Sequence, residues 1–146
     1  MPNHITSIVR IKDERDLEDY DKQEAGFKKF ADKFRTKESD FDFNAVVPMP
    51  ANIFRGDLGE KERKEHGANN WYDWAVANWG TKWNSYDVVY IEEAKYIEML
   101  VKFETAWAPP IPVLEAIADL GYRVDYSWVD EGDDEWRGWE TIPGKH

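Results

Sequence analysis

The sequence predicts an α+β fold: a largely antiparallel sheet with helices packed on one face and an inserted Trp-rich buried helix. Three observations predict it. Several short runs alternate apolar and polar residues at the strand period, two longer runs repeat at the helix period, and four of the eight tryptophans fall within residues 71–83, W-Y-D-W-A-V-A-N-W-G-T-K-W. With 146 residues, 42% of them hydrophobic, the chain has the size and apolar content of a single domain, residues 1–146, with its own core. Neither a low-complexity linker nor an internal repeat divides it.

Residues 4–11 alternate, with Ile5, Ser7, Val9 and Ile11 on one face and His4, Thr6, Ile8 and Arg10 on the other, which defines a first strand. Residues 13–35 then take the helical period, with Leu17, Tyr20, Phe27, Phe30, Ala31 and Phe34 on one side. Seven acids against two bases fill residues 13–24, and five bases against one acid fill residues 25–37, so the charge at each end complements the helix dipole. Gly26 weakens the middle of this helix by about 1 kcal/mol relative to alanine. Residues 41–47, F-D-F-N-A-V-V, read as a strand that ends at Pro48 and Pro50, because proline cannot donate to a ladder. Residues 55–70 contain Gly56, Gly59, Gly67 and a mixed-charge run at 60–65; they read as the least ordered backbone, either a short solvated helix or a mobile loop.

A helix over residues 70–78 places Trp71, Tyr72, Trp74, Ala75, Val76 and Trp79 across more than half its circumference, wider than one amphipathic stripe, so it is expected to be mostly buried. Asn78 falls inside that arc and needs a backbone partner for its amide, and Gly80 is the natural stop. Residues 86–91 and 96–105 read as a hairpin across the turn 92–95; Ile97, Met99, Val101 and Phe103 share one face of the second strand. Pro109, Pro110 and Pro112 open a helix through Val113, Leu114, Ile117, Ala118 and Leu120, stopped by Gly121. A strand over 122–129 carries Tyr122, Val124, Tyr126 and Trp128 on one face, and residues 136–142 follow as a final strand after the acidic turn 130–135.

Strand, helix, strand, buried helix, hairpin, helix, strand, strand is the order of a ferredoxin-like split βαβ with inserted elements. Four motifs carry a family resemblance: F-D-F-N-A-V-V-P-M-P (41–50), W-Y-D-W-A-V-A-N-W-G-T-K-W (71–83), F-E-T-A-W-A-P-P (103–110) and Y-S-W-V-D-E-G (126–132). In that order they resemble the YubB-type ferredoxin-like domain family of phage, plasmid and bacterial proteins. The resemblance spans most of the chain. It implies a ferredoxin-like fold and a mobile-element setting, and it implies no reaction and no catalytic residue.

The formal net charge of −11 repels phosphate backbones, so direct nucleic-acid binding is not expected. No run of about 20 apolar residues and no leader pattern is present, so a cytoplasmic location and no membrane partner are expected. The absence of cysteine excludes disulfides, thiol chemistry and thiolate metal sites. His4, His66 and His146 fall in no nucleophile–base or metal-ligand spacing, so the chain reads as non-enzymatic, with no cofactor and no metal. Asp130, Glu131, Asp133, Asp134 and Glu135 are oxygen donors of the kind that hold Ca²⁺ or Mg²⁺, but their spacing matches no calcium loop, and they read as a solvated turn.

Trp71, Trp74, Trp79, Trp83 and Trp107 follow the spacing of elements expected to be buried, most with an apolar residue close by, and read as core. Trp128, Trp136 and Trp139 stand apart, because six acids and one base between residues 128 and 140 surround them with a local net charge of −5. An aromatic group in an acidic frame suits an arginine- or lysine-rich protein surface, although the overall charge alone also serves solubility. The leading expectation is an acidic binding protein that occupies a basic surface on a host protein, as an anti-defence inhibitor does. Trp128, Asp130, Glu131, Asp133, Asp134, Glu135, Trp136 and Trp139 are its candidate partner-binding residues. The alternatives are an enzyme that stacks a nucleotide or other small molecule on its aromatic residues, and a self-associating structural protein, a homo-oligomer.

Overall fold

The computed structural model describes residues 3–12, 32–91 and 98–145. Its sheet has five strands: β1 (His4–Lys12), β2 (Tyr86–Tyr90), β3 (Glu98–Ala106), β4 (Arg123–Asp130) and β5 (Glu140–Ile142). They lie in the order β2-β3-β1-β4-β5, every neighbouring pair antiparallel. The first four strands have the ferredoxin-like order, and β5 is added beside β4.

Alternation in β1 sends Ile5, Ser7, Val9 and Ile11 inward, where Val9 faces Val101 and Tyr126 and Ile11 faces Met99 and Val124 across the ladders. Helix α3 (Ile111–Asp119) covers that face with Val113, Leu114, Ile117 and Ala118, all buried. Burying each of the branched side chains contributes about 1.5–3 kcal/mol, which outweighs the weak intrinsic preference of so short a helix. Phe34, Phe41, Phe43 and Phe103 fill the remaining space, with Phe41 stacked on Phe103 at 5.0 Å between ring centres. Ser7 lies on this apolar face, and its hydroxyl is the one buried side-chain polar atom without a hydrogen bond among the described residues.

Between β1 and β2 stand two inserted helices, α1 (Glu60–His66) and α2 (Trp71–Asn78). The expected helix over residues 13–35 lies outside the described residues apart from 32–35, of which 32–34 are helical. The hairpin of β2 and β3 forms as expected, and its turn at 92–97 also lies outside them.

Four expectations need correction. Residues 41–47 are not a strand: they hold a 3-10 turn, Phe43–Ala45. The Asp42 carboxylate accepts from the Asn44 backbone N–H at 2.9 Å, from Asn44 Nδ2 at 3.1 Å, from Asn84 Nδ2 at 2.7 Å and from the Thr36 hydroxyl at 2.5 Å. That local capture bends the chain away from any ladder, although Phe41 and Phe43 still reach the core. The last strand is shorter than residues 136–142: ladder pairing covers Glu140–Ile142, and ahead of it one isolated backbone bond, from the Arg137 N–H to the Trp128 carbonyl at 2.9 Å, ties the chain to β4.

Helix α2 is also less buried than its wide apolar arc implies. Ala75 is its one fully buried residue, and Val76 is 42% exposed. One side meets the core through Trp74 and the following Trp79, whose indole N–H donates to the Val47 carbonyl at 2.8 Å. Asn78 donates to the Trp74 carbonyl at 2.9 Å, as its position requires, and Gly80 ends the segment at φ +77. Finally, of the two readings of segment 55–70 the short solvated helix holds, and the correction is that its backbone is fastened rather than the least ordered. It contains the solvated helix α1, and the Phe54 and Trp71 backbones pair with Asn69 and Phe54 at 3.0 and 2.7 Å.

Candidate functional site

The candidate residues of the C-terminal segment come together on one strap along the outer edge of β4. The Asp130 carboxylate accepts the Gly132 N–H at 3.1 Å and the Asn3 side-chain amide at 3.4 Å, and the Glu131 N–H donates to the His4 carbonyl at 3.0 Å. These bonds fold the turn back beside the start of β1. Residues 131–140 are all exposed, so Glu131, Asp133, Asp134 and Glu135 project into solvent with Trp136 and Trp139, which are 43% and 51% exposed. Asp133 pairs with Arg137 at 3.2 Å, an exposed contact of small energy.

Two of the three indoles are already stacked. Arg137 lies 4.7 Å from the centre of the half-buried Trp128 ring, and Arg10 lies 4.8 Å from that of Trp139. Arg10 is steered there from the outer sheet face by Asp125, a buried carboxylate 3.7 Å away that also accepts from the Thr141 hydroxyl at 2.6 Å and from Arg123 Nε at 3.2 Å. The chain's own arginines therefore hold one face of Trp128 and one of Trp139, and the acids and Trp136 make up the outward surface.

The same end of the sheet carries a polar cluster that the sequence spacing did not reveal. His4 Nδ1 is hydrogen-bonded to the Tyr86 hydroxyl, with the rings edge to face at 5.6 Å. A hydrogen bond with Asp87, burial and the Asp87 charge hold the Glu104 carboxyl above the usual range. Burial, with Glu104, Asp87 and Glu131 close by, pushes the Tyr86 hydroxyl up to about 12. Burial and the Asp87 charge act on both groups, and around Tyr86 the carboxylates of Asp87, Glu104 and Glu131 converge from β2, β3 and the turn after β4.

An aromatic array lies beside this cluster, in residues read as core from the sequence. Trp83 and Trp107 are 38% and 44% exposed, and Trp71 is half-buried, its indole N–H donating to the Gly56 carbonyl at 2.9 Å. Trp107 stands edge to face with Tyr72 at 5.7 Å. The Lys82 ammonium lies 4.5 Å from the Trp83 ring centre and 5.4 Å from that of Trp107. By parity Trp107 continues the inward row of Met99, Val101, Phe103 and Thr105. A left-handed backbone, φ +76, breaks the row and turns the ring outward.

Among the described residues no group of three or more His, Asp or Glu side chains is placed to hold a metal ion. No helix among them is long and apolar enough to cross a membrane. No protein-family model, curated protein or solved structure matches the chain.

Proposed function

We propose that this chain is a non-enzymatic binding protein that docks on a basic surface of another protein through its acidic aromatic strap. The observation that carries the reading is the unbroken run of exposed residues 131–140, which holds Glu131, Asp133, Asp134, Glu135, Trp136 and Trp139 on one continuous edge. Exposed indoles supply contact area at low entropic cost, and carboxylates around them select a cationic partner and speed encounter. The motif resemblance to the YubB-type family adds a mobile-element setting. In its most concrete form the partner is then a host protein, and the outcome is an inhibitor of a bacterial defence system acting in the cytoplasm.

The test is co-purification of the tagged chain from a nuclease-treated bacterial host lysate. The expected result is a stoichiometric host protein with a basic face, released as salt rises. Recovery of the chain alone, with a sedimentation coefficient that climbs with concentration, would assign self-association instead.

A further inference from the structure

We infer that Trp83 and Trp107 form a receptor site for a lysine or arginine side chain of the basic partner, and that Lys82 is its internal occupant. This rests on the binding reading above and extends the contact surface from the strap across the end of the sheet. One ammonium within about 6 Å of two ring centres is the geometry of a cation held by aromatic faces, and Lys82 satisfies it at 4.5 and 5.4 Å. The pair thus already binds the chemical group proposed for the partner.

Two further observations support a site rather than incidental packing. A tryptophan at φ +76 is a costly backbone conformation, kept where the surroundings over-determine it. Here the Trp107 N–H donates to the Asn3 carbonyl at 2.9 Å, and the Thr105 hydroxyl closes the turn on the Ala108 carbonyl at 2.6 Å. The result is a large ring 44% exposed beside Trp83. Charge then selects the occupant. Residues 3 and 4 bond Trp107 on one side and Glu131 on the other, so the two backbones flank β1 roughly 10 Å apart. Asp87 and Glu104 crowd the same end. A phosphate-bearing base stacked on these rings would face those carboxylates, whereas a cationic side chain is drawn to them.

The experiment is tryptophan-fluorescence titration with hexalysine as the probe. Lys82→Ala vacates the site, and Lys61→Ala, at an exposed position on α1, removes the same charge elsewhere. The site predicts that K82A binds about two- to fivefold more tightly than K61A, the factor equivalent to one exposed cation–π contact. The gain disappears in K82A/W107L, and circular dichroism verifies that each variant is folded. Equal affinity of K82A and K61A, weaker binding by K82A, or no hexalysine binding by any variant overturns the inference. So does saturable quenching by adenosine monophosphate that K82A abolishes, which would make the rings a nucleotide platform with Lys82 as phosphate ligand. Neutralising the strap separates the two claims: if it abolishes hexalysine binding while K82A matches K61A, the strap reading stands and the aromatic receptor fails. If neutralising the strap leaves hexalysine affinity unchanged and the K82A gain persists, the receptor stands and the strap reading fails.

Discussion

Asp42 joins residues 36–44 to the segment before β2, and Asp42→Ala isolates that role. The residue is 3% exposed, and its carboxylate satisfies four donors from Thr36, Asn44 and Asn84. Asn84 in turn accepts from the Phe43 and Ser85 N–H groups, each at 2.9 Å, so losing the carboxylate loosens both segments at once. Hydrogen bonds to a charged acceptor are worth about 1.5–3 kcal/mol each; some of these donors regain water in the variant, so the total loss is about 3–5 kcal/mol. For a domain of this size that lowers Tm by about 10 °C or more. Urea unfolding at constant m is the assay. Burial alone would raise the Asp42 pKa, but the Thr36, Asn84 and Asn44 bonds outweigh it and hold the carboxyl below its ordinary value. The folded state therefore favours the ionised form, and this stability is present above about pH 4 and is lost as pH falls through the folded pKa. The isosteric Asp42→Asn variant flattens that acid dependence. A loss under about 1 kcal/mol in Asp42→Ala, or identical acid profiles for wild type and Asp42→Asn, would refute the reasoning.

Other perturbations read other parts of the fold. Gly80→Ala places a Cβ 2.7 Å from Pro112 Cδ at φ +77, and urea midpoints should report a loss of about 1–3 kcal/mol. Ser7→Ala replaces the unpartnered buried hydroxyl with a methyl group and is expected to hold or raise stability by about 1 kcal/mol; a loss beyond that would reveal a partner for the hydroxyl. Trp79→Phe forfeits the indole bond to Val47 and leaves a gap beside Phe43, costing about 2–3 kcal/mol in the same assay. Tyr86, Tyr90 and Tyr126 each sit at about 12, raised chiefly by burial, so the folded state favours their neutral form. Their contribution to stability is complete below about pH 10 and falls as pH rises toward 12, with tyrosinate absorbance lagging behind that of the unfolded chain.

The sheet was legible because its signal is local. Alternation through β1 and β3, the glycine after α3 and the prolines before it each report their own element, and together they select the ferredoxin-like order. Residues 41–47 misled because Phe41 and Phe43 alternate as in a strand, while Asp42 gathers donors from Thr36 and Asn44 nearby and from Asn84, 42 residues away. Trp107 misled because its neighbours Ala106 and Ala108 suggested burial, while a left-handed backbone just past the end of β3 turns its ring outward. The acids and indoles of the strap were visible as composition. The arginines that stack on Trp128 and Trp139 come partly from β1, and that pairing exists only once the sheet is assembled.

The central claim is tested most directly by comparing the wild-type chain with a variant carrying Asp130→Asn, Glu131→Gln, Asp133→Asn, Asp134→Asn and Glu135→Gln. The five changes leave Glu140 and Arg137 as the charges between residues 128 and 140, erasing the local −5. Four of the five sites are exposed, so Tm should change little, and the isosteric Asp130→Asn keeps an acceptor for the Gly132 N–H. In parallel captures from the same nuclease-treated lysate, a basic host protein is expected to be stoichiometric with the wild-type chain and lost from the variant. A folded variant that retains the same partner at the same stoichiometry would contradict it.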